Sequence, residues 1–266
     1  MQLGFITANY VARAIGFNMT EGWMQGDRAT NAYYQPLETY GERIGELLAL
    51  IATQGYTTVD IWTAHLHWSW ATPAHIATLR RELDRFGLQA VCYGGRFGEN
   101  AAEFRQACAV ASQAGMHVLA GSTGLLSADR AAAVQILQES DCVLAIENHP
   151  AEKTPADVLV QIGDGAGGRI GTAVDTGWWG TQGYDAAQAI RELWPHIKSV
   201  HLKDVLAAGA HDTCRFGAGV VPIAACVQLL KQGGYTGPIA IEHEPNHFDP
   251  TDDCIAMHQM VQEWWR

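Results

Sequence analysis

The sequence has few basic residues, and its charge balance argues against one broad class of partner. It contains 17 lysines and arginines against 28 aspartates and glutamates, which gives a formal net charge of −11. Proteins that bind nucleic acid draw much of their affinity from clustered lysines and arginines that contact phosphates. We therefore expect no nucleic-acid partner. A hydrophobic fraction of 48% with 17% charged residues is typical of a globular protein.

Paired cysteines and long apolar runs are also missing. The six cysteines stand singly, without the spacing of a metal-binding pair, and we expect them to be reduced, as in a cytoplasmic enzyme. The apolar runs are far shorter than the roughly 20 residues that cross a bilayer. No basic segment precedes the first apolar stretch, so we expect neither a leader peptide nor a membrane partner.

The sequence does contain a regular alternation of short apolar runs and longer amphipathic stretches. Eight βα units of about 33 residues each fill the chain, which is typical of a parallel α/β fold. The predicted strands are 2–7, 57–62, 89–93, 117–121, 143–147, 171–175, 199–201 and 238–242. The predicted helices are 40–54, 72–86, 101–114, 128–138, 155–162, 186–194, 222–232 and 251–264. With no linker or composition break, we predict a single (β/α)₈ TIM barrel over residues 1–266.

Residues 8–38 form one long stretch that has no clear strand or helix pattern. The stretch follows the first predicted strand, so in a barrel it would lie over the C-terminal mouth, where active sites of this fold are built. Long loops in compact domains are usually functional. We therefore expect an irregular substrate lid here.

Four of the later strands end in a single polar residue after an apolar run. These residues are Glu147, Asp175, His201 and Glu242. Because barrel strands are buried on both faces, a charged group at such a boundary must be paired or bound to metal. Three carboxylates and one imidazole suit a single divalent ion, Mn²⁺ first and otherwise Mg²⁺, Co²⁺ or Zn²⁺. The alternative is a network of paired charges among Lys203, Asp204 and Arg215.

The sequence around these four residues resembles that of a known group of enzymes. The stretches are Ile146-Glu147-Asn148-His149-Pro150, Val174-Asp175-Thr176-Gly177, Val200-His201-Leu202-Lys203-Asp204 and Ile241-Glu242-His243-Glu244. They are similar to the sugar phosphate isomerase/epimerase family of the xylose isomerase-like TIM barrel superfamily, and the similarity covers nearly the whole chain. The superfamily also includes endonuclease IV repair enzymes, which hold three metal ions. Trp178 stands where that branch has a histidine, so the resemblance implies one ion and no DNA repair.

The resemblance also implies a mechanism and a substrate class. In the epimerases and isomerases, two metal-bound glutamates face each other across the substrate, and here they would be Glu147 and Glu242. One removes a proton from the carbon beside a metal-polarised carbonyl, and the other returns a proton. We therefore expect an isomerase or epimerase of a keto-sugar or related polyol in carbohydrate metabolism. His149, close to Glu147 in the sequence, is a further catalytic candidate.

Five further residues are candidates for contact with the substrate. They are His65, His67, Trp178, Lys203 and Arg215. The two histidines follow the second strand and could reach the mouth. The tryptophan offers a flat face to a sugar ring, and the arginine fork could hold a hydroxyl or a carboxylate. For the lysine, a structural salt bridge is an equal alternative.

Two other functions remain open at this point. A lyase or dehydratase acting on an inosose or on a 3-keto-glycoside, O-linked or C-linked, would use the same metal and base. It would differ in having a leaving group next to the carbanion. A metal-free sugar-binding module would have no use for the four ligands. A phosphorylated substrate has no special support, because the sequence shows no glycine-rich phosphate cradle, and a homo-oligomer is possible.

Overall fold

The computed structural model describes residues 3–266, and eight parallel strands in it close into a barrel. These strands are β1 (Leu3–Ile6), β2 (Thr58–Trp62), β3 (Gln89–Arg96), β4 (Val118–Ser122), β5 (Val143–Glu147), β6 (Ile170–Asp175), β7 (Ile197–Leu202) and β10 (Ile239–Ile241). Between β7 and β10 in the chain, β8 (Asp204–Val205) and β9 (Thr213–Cys214) form a small antiparallel ribbon. Each barrel strand pairs with its neighbours along the chain, and β1 closes the ring by pairing with both β2 and β10. The predicted (β/α)₈ TIM barrel is confirmed. The predicted first strand began at Gln2, which lies outside the described residues.

Eleven α-helices are present in residues 3–266. They are α1 (Trp23–Tyr34), α2 (Leu37–Thr53), α3 (Pro73–Phe86), α4 (Ala101–Ala114), α5 (Leu125–Ala128), α6 (Arg130–Glu139), α7 (Pro155–Ile162), α8 (Thr176–Gln182), α9 (Ala186–Leu193), α10 (Ile223–Gln232) and α11 (Thr251–Trp265). All eight predicted helices are confirmed, with bounds shifted by a few residues. None of the helices in the described residues is long and apolar enough to cross a membrane.

The prediction of an irregular segment over residues 8–38 is wrong, because the segment contains short 3₁₀ turns and the helix α1. The buried residues of α1 are Gly26, Thr30 and Tyr34, spaced four apart. Thr30 Oγ1 donates to the carbonyl of Val11 at 2.6 Å, and a Cβ at Gly26 would lie 2.9 Å from that same oxygen. The helix therefore docks through a small and polar stripe, which an apolar periodicity does not reveal.

Alternation along the strands explains where the site can form. Leu144, Ile146, Val174, Val200 and Ile241 belong to the main hydrophobic core. The residues between them on the same strands point into the barrel, since successive side chains of a strand face opposite sides. The inward positions two residues before each of the four predicted ligands hold small side chains: Ala145, Ala173, Ser199 and Ala240. This layer leaves room above it for larger polar groups.

Candidate active site

Three of the four predicted metal ligands converge at the C-terminal mouth. Atoms of Glu147, His201 and Glu242 lie within 4.8 Å of one another, and this is the one group of its kind in residues 3–266. His201 Nδ1 lies 2.9 Å from Glu147 Oε1 and 2.9 Å from Glu242 Oε2. All three side chains are buried, with His201 1% exposed. Buried carboxylates are costly unless a cation shares the site.

The carboxylates of this cluster favour positive charge on His201. Burial alone would lower the pKa of His201, but Glu242, Asp60 and Glu147 together raise that pKa well above its usual value. Burial likewise opposes ionisation of Glu242, but Lys203 and His201 hold its pKa well below its usual range. Two carboxylates and one imidazole nitrogen are suitable donors for a divalent ion. The residues present therefore fit such an ion.

Asp175 lies next to the cluster, but its carboxylate contacts the start of α8 and Lys203. Its Oδ1 accepts hydrogen bonds from the amides of Gly177 at 2.7 Å and Trp178 at 3.1 Å, which caps the N-terminus of α8. Its Oδ2 lies 3.3 Å from Lys203 Nζ. Burial raises the pKa of Asp175 to about 6, against the opposing charge of Lys203. The side chain that the sequence predicted as a fourth ligand is thus engaged by a helix and a lysine.

Lys203 lies buried among three carboxylates. Its Nζ is 2.6 Å from Glu242 Oε1, 2.9 Å from Glu244 Oε2 and 3.3 Å from Asp175 Oδ2. Burial lowers the pKa of Lys203, but these carboxylates outweigh burial and raise that pKa well above its usual value. Gly177 makes this arrangement possible, since a Cβ there would lie 2.5 Å from Lys203 Cγ. Lys203 therefore forms structural salt bridges, and it also lines a cavity over the cluster.

A cavity of about 520 Å³ lies over the cluster and has aromatic walls. Trp23 and Trp62 form part of the lining, and Trp178 is stacked on His211 with ring centroids 3.5 Å apart and planes 9° apart. His149 also lines the cavity, with Nε2 3.7 Å from Glu147 Oε2. The cavity therefore joins the cluster to flat surfaces suited to sugar rings or other planar groups.

Three of the predicted substrate contacts, His65, His67 and Arg215, do not line this cavity. His65 is fully buried, with Nδ1 3.1 Å from Thr7 Oγ1, and burial lowers its pKa to about 3. His67 Nδ1 lies 2.8 Å from Ser69 Oγ. Arg215 Nε donates to Asp253 Oδ1 at 2.7 Å.

The predicted alternative network is also dispersed. Asp204 accepts backbone amides of Val205, Gly217, Gly219 and Val221, so it shapes the loop after β7 and makes no pair with Arg215. Lys203 pairs with the carboxylates at the mouth. The three charges of that network therefore serve separate local structures.

Comparison with known proteins assigns the fold to a family. The profile described as "Xylose isomerase-like TIM barrel" matches residues 48–261, most of the chain. The chain belongs to the xylose isomerase-like TIM barrel family. A segment of 47 residues is 47% identical to the L-ribulose-5-phosphate 3-epimerase UlaE from Escherichia coli, and it spans 18% of this chain and 16% of that relative. The alignment thus covers about a sixth of the curated relative.

Solved structures with similar folds cover the whole barrel. A D-tagatose 3-epimerase-like protein aligns with a TM-score of 0.70 at 16% identity, covering 99% of this chain and 97% of the other. The D-psicose 3-epimerase from Clostridium cellulolyticum H10, solved with D-tagatose, aligns with a TM-score of 0.70 at 10% identity and covers 100% of both chains. At these identities the likeness shows the fold alone.

Sequence reasoning missed two acidic residues of this xylose isomerase-like barrel. Glu244 lines the cavity, where its Oε1 accepts from Trp23 Nε1 at 3.0 Å, and burial raises its pKa to about 8. The spacing of Glu242 and Glu244, two residues apart, was the available signal, because such residues share a side of an extended chain. Asp60 is buried within β2 beside His201. Its signal was a charged residue inside an apolar strand.

Proposed function

We propose that this protein is a divalent-metal-dependent isomerase or epimerase of a keto-sugar or related polyol. The observation that carries the proposal is the convergence of two buried glutamates on one histidine at the mouth of the barrel. The names of the relative and of the two similar structures, all 3-epimerases of sugars or proteins like them, support it. A metal-free sugar-binding module has less support, because it would leave these buried charges without a purpose.

In this proposal Glu147, His201 and Glu242 hold the ion, with Mn²⁺ as the first candidate. Asp175 would be the fourth ligand if its Oδ2 turned away from Lys203, which would keep its contacts with Glu242 and Glu244. The ion, when bound, polarises the substrate carbonyl and stabilises the negative charge that develops on its oxygen. His201 would hold the ion through a deprotonated Nδ1, so binding would release the proton from that nitrogen.

The two glutamates are the proton-transfer groups of the proposal. They reach the cavity from β5 and from the end of β10, with His201 between them. One removes the proton from the carbon beside the carbonyl, and the other delivers a proton to the opposite face. Glu147 Oε2 lies towards His149 and the cavity, whereas Glu242 Oε1 is bound to Lys203. Glu147 is therefore the freer base, and His149 is placed to pass its proton on.

Proton exchange with D₂O tests this function directly. The protein would be incubated with Mn²⁺ and a panel of ketoses, inososes and 3-keto-glycosides, and each substrate followed by NMR. We expect deuterium to enter a carbon beside the carbonyl of at least one substrate, and the exchange to stop when a chelator removes the metal. A metal-loaded protein that exchanges no proton in any of these classes would contradict the proposal.

The charge of the cavity predicts a preference for substrates without phosphate. Four acidic side chains line it, of which Glu244, with its pKa raised to about 8 by burial, is largely protonated at pH 7, and the cavity's lysine, Lys203, already contacts three acids. Burial lowers the pKa of His211 to about 3, so that ring is neutral at pH 7. Like charges brought together at a binding surface cost several kcal/mol. We expect kcat/KM for a ketose phosphate to be at least about tenfold below that for the free ketose, and the reverse order would contradict this reading.

The aromatic walls favour one second candidate, a lyase acting on a 3-keto-glycoside. Trp23, Trp62 and Trp178 offer flat faces to a planar leaving group, whether it is linked through oxygen or carbon. The first proton abstraction would be the same. Product analysis separates the two, since a lyase releases the leaving group irreversibly, whereas an epimerase gives an equilibrium mixture of two sugars.

A further inference from the structure

A carboxylate lies inside the barrel beneath the candidate metal site. Asp60 is on β2, is 1% exposed, and neither of its oxygens has a hydrogen-bond partner within 3–266 that meets ordinary geometry. The nearest cationic group is His201, whose Nε2 lies 3.4 Å from Asp60 Oδ2. A buried carboxylate without a partner is costly. The fold alone does not explain why Asp60 is buried beside His201.

The two nitrogens of His201 face different groups. Nδ1 lies among the glutamates of the cluster, at 2.9 Å from an oxygen of each. Nε2 lies 3.4 Å from Asp60 Oδ2 and has no hydrogen-bond partner of ordinary geometry among the described residues. A histidine that binds metal through one nitrogen usually donates its other N–H to a carboxylate or a carbonyl, which fixes the tautomer and the orientation of the ring. Asp60 is placed for that role.

We propose that Asp60 is a positioning residue, which accepts the Nε2–H of His201 and so holds Nδ1 towards the bound ion. The inference rests on the proposed metal site. Asp60 itself touches neither ion nor substrate in this arrangement, because the imidazole stands between them. The contact of 3.4 Å is long for a hydrogen bond, and we expect it to shorten when Nδ1 is occupied by metal.

Ser199 provides a matched control for Asp60. It lies two residues before His201 on β7, it is fully buried, and its hydroxyl has no hydrogen-bond partner within 3–266. The substitutions D60N and S199A each alter one polar group in the same layer of the barrel. D60N keeps the size of the side chain and removes its charge. Only D60N changes the group that faces His201 Nε2.

The test is Mn²⁺ affinity, measured by calorimetry on the full chain at one pH with folding checked by circular dichroism. We expect D60N to bind Mn²⁺ about 10–100-fold more weakly than the unmodified protein, the usual effect of losing such a partner, and S199A to stay within about threefold. A folded D60N that binds as tightly as S199A would overturn the inference while leaving the metal site intact. Absence of any Mn²⁺ binding by the unmodified protein would overturn the proposed function as well.

A second measurement keeps the inference testable if D60N does not fold. In protein loaded with Zn²⁺ and labelled with ¹⁵N-histidine, NMR reports which ring nitrogen of His201 carries the proton. We expect a protected proton on Nε2 and a metal-bound Nδ1. A spectrum in which the metal occupies Nε2 would overturn the role of Asp60.

Discussion

Replacing either Glu147 or Glu242 by glutamine should lower turnover by at least about 10²–10⁴-fold, the contribution of a general acid or base. Each glutamine keeps an oxygen that can bind metal but cannot take a proton. We therefore expect metal affinity to fall modestly while kcat falls steeply. The measurement is kcat with the metal content of each variant determined on the same sample, so that loss of the base is separated from loss of the ion.

Glu82 supplies the control for this pair of variants. It is 6% exposed, like Glu147, but it lies on α3 and pairs with Arg81 and Arg85. E82Q should leave kcat close to that of the unmodified protein. Near-normal turnover in both E147Q and E242Q, with metal bound, would show that the bases lie elsewhere, and His149 would then be the next candidate.

The same two variants separate the two reactions. An epimerase needs both glutamates, so one variant should still exchange the substrate proton with solvent while failing to complete the reaction. In a lyase the first abstraction commits the substrate, and the second glutamate is dispensable. If only one of E147Q and E242Q fails to release the leaving group, the result would favour the lyase.

Substituting Lys203 by methionine should destabilise the metal-free protein by about 3–5 kcal/mol, the usual result of removing one partner from a buried ion pair. The change leaves Asp175, Glu242 and Glu244 close together without their shared cation. At about 2–4 °C per kcal/mol for a domain of this size class, we expect Tm to fall by roughly 10 °C. Protonation of Glu244, whose pKa burial already raises to about 8 against the opposing charge of Lys203, should relieve part of the repulsion.

Adding metal should restore part of the Tm lost by K203M, which makes the prediction specific to the candidate site. A divalent ion supplies positive charge to the same carboxylates, so the difference in Tm should shrink when Mn²⁺ is added. Lys153 is exposed, and K153M should change stability by no more than about 0.5 kcal/mol. If K203M and K153M unfold at the same temperature in chelator, the charge balance described here would be wrong.

The barrel could be predicted because the patterns that mark its strands and helices are local in the sequence. Strands and helices follow from the change of apolar period, and glycines such as Gly87 and Gly115, both in the left-handed region, end the helices before the next strand. The helix α1 could not be found in this way, since Gly26 and Thr30 dock it through small and polar contacts. Contacts with the preceding segment at Val11 and Met19 position that helix, and apolar periodicity does not encode them.

The candidate site shows the same division. The strand ends indicated Glu147, His201 and Glu242, which converge in the structure. The cap that Asp175 makes on α8 is local, because it uses amides two and three residues ahead, and an N-cap aspartate was an available signal. The sequence could not show that His65 packs against Thr7, because that contact joins residues 58 positions apart. The contact between Asp60 and His201 crosses the barrel interior and has no local pattern at all.

A crystal structure of the protein grown with Mn²⁺, with an anomalous difference map collected near the manganese edge, tests the central claim most directly. We predict one peak per chain at the mouth of the barrel, with Glu147, His201, Glu242 and a turned Asp175 at roughly 2.0–2.3 Å. No peak between these side chains at saturating Mn²⁺, or a peak bound by other residues, would contradict the account.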